Sequence, residues 1–105
     1  MMEDKQNIFE WLSKWYLSQC DGEWEHEYGI SIYTVDNPGW SVEIDLAYTE
    51  LEELQVPWDL VEVSEHDWYG IKVENKKFTG AGDPTKLLLL IYKFRELVES
   101  AQKSK

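Results

Sequence analysis

The stretch CDGEWEHEYG, residues 20–29, places one thiol, four carboxylates, an imidazole and an indole within ten residues. Those residue types could support three chemistries. A metal site would draw on Cys20, His26 and His66 with a carboxylate. However, Cys-x5-His matches no common zinc spacing, and the chain holds only one Cys and two His. Nucleophilic catalysis by Cys20 needs positive charge or a helix N-terminus to stabilise the thiolate, whereas Asp21 and Glu23 sit beside it near a helix C-terminus. Cys20 is read instead as a small buried residue at a helix end. Acid–base catalysis has 21 Asp and Glu to choose from, but Glu25 and His26 are adjacent and on a strand would face opposite ways. A glycosidase-like pair also needs a sugar-sized groove, which 105 residues seldom provide. GAGDP, residues 80–84, lacks the Lys of a phosphate loop. The residues point to a non-enzyme without metal or cofactor.

The elements that hold these residues follow from periodicity. In residues 4–19, Ile8, Trp11, Leu12, Trp15 and Tyr16 recur at helical spacing, with Asp4 or Asn7 as cap and Asp21-Gly22 as stop. YGISIYTV then alternates, DNPG has turn chemistry throughout, and WSVEIDL sends Trp40, Val42, Ile44 and Leu46 to one face. This is a β-hairpin with Glu43 and Asp45 on its wet side. Residues 49–57 connect to a second strand pair, WDLVEVSE and WYGIKVEN, turning around His66-Asp67. KKFTG is an optional short edge strand, GAGDP is a loop, and Asp83-Pro84 opens a helix over residues 85–102. The predicted fold is α+β: an antiparallel sheet of about four strands, or five if KKFTG pairs at an edge, with both terminal helices on one face. One domain over residues 1–105 accounts for the length.

Charge narrows the function classes. The net charge is −11, and between Trp15 and Ile71 there are fourteen Asp and Glu and no Lys or Arg. Such a surface repels nucleic acid and anionic membranes and attracts a basic protein or cations. A solvated acidic face kept for solubility reads equally well from composition. The single cysteine forms no internal disulfide, the N-terminus shows no signal-peptide pattern, and LLLLIY is far too short to span a bilayer. The expected location is cytoplasmic.

Residues 11–46 resemble the immunity protein 53 family of bacterial polymorphic toxin systems. The family's Trp-Glu and Pro-Gly-Trp motifs correspond here to Trp24-Glu25 and Pro38-Gly39-Trp40. The resemblance implies a small α+β cytoplasmic protein, encoded beside a toxin gene, that binds the toxin domain and blocks it. It transfers no catalytic residues.

Many toxins of this class are nucleases with basic clefts, so an acidic inhibitor fits the implied role. The expected toxin-binding set is Glu43, Asp45, Glu62, Glu65 and Asp67, with Trp68 and Tyr33 as aromatic anchors. The motif residues Trp24, Glu25, Pro38, Gly39 and Trp40 are read as structural, and the protein as a monomer or weak dimer. The rival reading is a small carbohydrate- or ligand-binding module that stacks a sugar on exposed Trp residues.

Overall fold

A computed structural model describes residues 7–103. Its elements are α1 (Ile8–Gln19), α2 (Trp24–Glu27), β1 (Ile30–Val35), β2 (Gly39–Asp45), β3 (Val56–Ser64), β4 (Asp67–Glu74), β5 (Lys77–Gly82) and α3 (Leu87–Lys103). The five strands form one antiparallel sheet in the order β1-β2-β5-β4-β3. The fold is α+β, with α3 against β2, β5 and β4 and α1 against α3.

Alternation in β2 sets the two faces. Val42 and Ile44 lie beneath the helices, opposite Gly80 and Phe78 of β5, and Ile71 and Val73 of β4 continue this face. Leu90, Ile91, Phe94 and Val98 of α3 close over it, spaced so that one helical stripe is buried. Phe94 sits at the centre: its ring meets Trp15 at 4.9 Å and Phe78 at 5.2 Å. Ser41, Glu43, Asp45, Thr79, Ala81, Gly70 and Lys72 lie on the other face, which no helix covers.

Two expectations change, on β5 and on the start of α3, while the cap of α1 is one of the two expected. KKFTG is the start of the central strand and not an edge strand. β5 runs on to Gly82, through residues that composition assigned to a loop. Its small residues serve packing, since a β-carbon at Gly80 would press on Leu90 of α3 at 3.2 Å. The N-terminal helix begins at Ile8, with the Asn7 side chain accepting from Phe9 N–H at 2.7 Å; Asp4 lies outside the described residues. The last helix begins at Leu87, two residues later than expected, because Asp83 does not cap it directly. The buried Asp83 carboxylate instead accepts from the N–H of Trp68 at 2.9 Å and of Thr85 at 2.8 Å, fastening β4 to the lead-in of α3.

Candidate functional site

Residues 20–29 form a helical turn where a strand geometry was expected for Glu25 and His26. Asp21 accepts from the N–H groups of Glu23 and Trp24, each at 2.9 Å, and Glu25 reaches back to the N–H groups of Asp21 and Gly22 at 3.0 and 2.9 Å. Asp21 thus satisfies donors at the start of α2, and Glu25 satisfies those of the two loop residues before it. The N–H of Trp24, then that of Glu23, hold the Asp21 carboxyl below its ordinary pKa. Trp24 is 4% exposed; its indole N–H donates to Ala47 O at 2.8 Å, and its rings pack against Trp15, Tyr16 and Tyr28. Cys20 is half-buried, its thiol against Tyr16 O.

The Pro-Gly-Trp turn ties the first hairpin to β5. A β-carbon on Gly39 would overlap the carbonyl oxygen of Gly82 on the neighbouring strand, so only glycine permits that approach. The Trp40 indole donates to Pro84 O at 3.0 Å. Pro38 lies at one end of the uncovered sheet face, on the rim of a groove of about 780 Å³.

That groove is the most developed concavity on the uncovered face. Trp58, Leu60, Glu62, Glu65 and Trp68 line it with Pro38. Pairing explains the placement: Leu60 stands opposite Gly70, and Glu62 opposite Trp68, on the uncovered side. The Trp58 indole lies over Gly70, where any β-carbon would collide with the ring. Trp58 stays 48% exposed.

The residues expected to bind a partner fall into three groups. Glu62, Glu65 and Trp68 meet in the groove. Tyr33, Glu43 and Asp45 sit together farther along the same face. There the Tyr33 hydroxyl donates to Glu43 at 2.8 Å, and Lys77 stands 3.9 Å from Glu43 and 3.8 Å from Asp45. Asp67 belongs to the helix side, where Lys86 bridges it at 2.8 Å and Asp83 at 2.6 Å. Lys86 is the main reason that the Asp83 carboxyl is held far below the ordinary carboxylate range. Asp67, then Asp83, raise the Lys86 ammonium in turn. Sequence reasoning did not single out Trp58, whose exposure depends on a cross-strand glycine and a register shift between Val56 and Asp59.

The family model described as immunity protein 53 matches residues 9–99. The chain belongs to the immunity protein 53 family. No curated protein and no solved structure matches it. The immunity protein 53 match spans both the Trp24-Glu25 turn and the hairpin, and extends through β3, β4, β5 and most of α3. Among the described residues of this immunity protein 53 member, no three His, Cys, Asp or Glu side chains group to hold a metal ion. Nor is any helix long and apolar enough to cross a membrane.

Proposed function

We propose that this immunity protein acts in the cytoplasm by binding and neutralising the basic, nuclease-like domain of a cognate polymorphic toxin, without catalysis. The observation that carries the reading is the uncovered sheet face of a family member. Its groove joins two tryptophans to Glu62, which forms no ion pair among the described residues, and to Glu65, whose partner is the neighbouring His66 at 3.2 Å. Acids left uncompensated at a surface accelerate encounter with a basic partner by roughly 10- to 1000-fold at low salt. The half-exposed indole of Trp58 and the partly exposed one of Trp68 then supply apolar area that only contact can bury. Trp58 and Trp68 are the anchors, with Glu62 and Glu65 as the charged rim. Glu43 and Asp45, already shared with Lys77, and Asp67, already shared with Lys86, contribute less. Trp24, Glu25, Gly39 and Trp40 are structural in this account, since each is tied inside the molecule.

The test is protection in living cells. Bacteria producing the toxin domain encoded beside this gene should survive when the wild-type protein is co-produced. Protection should fall with the Glu62→Lys, Glu65→Lys double variant at equal soluble level. Full protection by that variant would remove the acidic groove from the account. Failure of the wild type to protect would remove the immunity role for that pair, and would bring forward a ligand-binding module built on the same two indoles.

A further inference from the structure

The outer edge of β3 carries an inference about how the partner is held, and it rests on the neutralising role proposed above. β3 is the last strand of the sheet, paired through one edge only, with β4. Both of its faces are open: Leu60 and Glu62 point to the uncovered side, and Asp59 and Val61 to the other, opposite Ile71 and Tyr69. All four are exposed, and Val63 beyond them is 76% exposed. A long apolar edge is a template for another strand, and proteins usually blunt it with lysine, proline or bulges. Here those devices sit at the ends. Pro57 and the two register shifts, between Val56 and Asp59 and between Glu62 and Ser64, leave residues 59–62 in regular pairing. No lysine guards the strand.

Charge selects the occupant. Asp59 and Glu62 form no ion pair among the described residues, whereas Glu43, Asp45 and Glu74 on the same sheet already share Lys77 and Lys72. A second copy is a poor fit, because it brings another net charge of −11 and an identical strand without a base. β1, the opposite edge, contains no charged residue and exerts no choice of sign. We infer that the toxin domain adds one of its own basic edge strands to β3, extending the sheet. Residues directly opposite each other on paired strands share a face. The incoming strand therefore sets Lys or Arg against Asp59 and Glu62 and apolar side chains against Leu60 and Val61. Its local pattern is basic-apolar-apolar-basic, read the same way in either strand direction.

Amide hydrogen exchange on the full chain tests this, free and saturated with the toxin domain encoded beside this gene. Every second amide in residues 59–62 points away from β4, so it exchanges readily in the free protein. On complex formation those amides should slow by about 100-fold or more, while the outward amides of β1 stay unchanged. Asp59→Lys with Glu62→Lys should weaken the complex by about 100-fold, and Glu23→Lys, just before α2, should leave it intact. A tight complex in which the outward β3 amides exchange as in the free protein overturns strand addition and leaves the binding role standing. No complex at all overturns the binding role, and strand addition with it.

Discussion

Replacing Trp24 with Phe separates a structural role for the Trp-Glu motif from a surface one. The indole N–H donates to Ala47 O at 2.8 Å, and both residues are buried. Phe keeps the aromatic ring but leaves that carbonyl without its donor, which costs about 1–3 kcal/mol. The space vacated between Trp15, Tyr16 and Tyr28 adds about 1 kcal/mol, at the low end for large-to-small core changes. A total near 3 kcal/mol corresponds to a fall in Tm of roughly 12–24 °C for a domain of this size. Urea unfolding followed by far-UV circular dichroism measures it without relying on the deleted fluorophore. Leu17→Ala, at a side chain 70% exposed on α1, is the control and should stay within about 0.5 kcal/mol of wild type. If Trp24→Phe also stays within about 0.5 kcal/mol at an unchanged m-value, the motif does not hold the core and the structural account of it is wrong.

Four further outcomes rest on the same geometry. Gly39→Ala forces a β-carbon onto the backbone oxygen of Gly82 and should cost about 1–3 kcal/mol in thermal unfolding. Gly29→Ala, where nothing lies within 4 Å of the added atom, should be near neutral. Asp83 is held below its ordinary pKa of 3.8, so its stabilisation is fully present above about pH 4 and is lost as pH falls from there through the folded value. Asp83→Asn should accordingly lower the urea midpoint at pH 7, and the gap to wild type should narrow at pH 3. Trp58→Ala loses the half of the indole packed over Gly70, which lowers stability, and in the folded variant it should also weaken the toxin complex. Burying the exposed 48% of an indole, about 120 Å², is worth about 3 kcal/mol, or roughly 100-fold in Kd by calorimetry.

The first hairpin was legible because Val42, Ile44 and Leu46 alternate with Ser41, Glu43 and Asp45, and one-sided burial imposes that period. The helices were legible from their apolar stripes. The central place of β5 was not, because Gly80, Ala81 and Gly82 carry no hydrophobic signal; the value of the two glycines lies in the room they leave for Leu90 and Lys86. The turn of α2 was hidden for a different reason. Four residues are too few for a period, and the turn is held by Asp21 and Glu25 acting on backbone donors. At the candidate site, Glu62, Glu65 and Trp68 could be assembled from the alternation and the turn at His66. Trp58 could not, since its position depends on Gly70 one strand away. Asp67 was grouped with the other acids because sequence counts charge without showing that Lys86 lies 2.8 Å from it.

Titration calorimetry of this protein with the purified toxin domain proposed as its partner, at low and at high salt, decides whether neutralisation runs through the acidic face. The account predicts a tight one-to-one complex whose affinity falls as salt rises, because uncompensated acids of the β3 side draw in a basic partner. An equally tight complex at both salts would contradict the electrostatic account, and no heat at either would contradict neutralisation by binding.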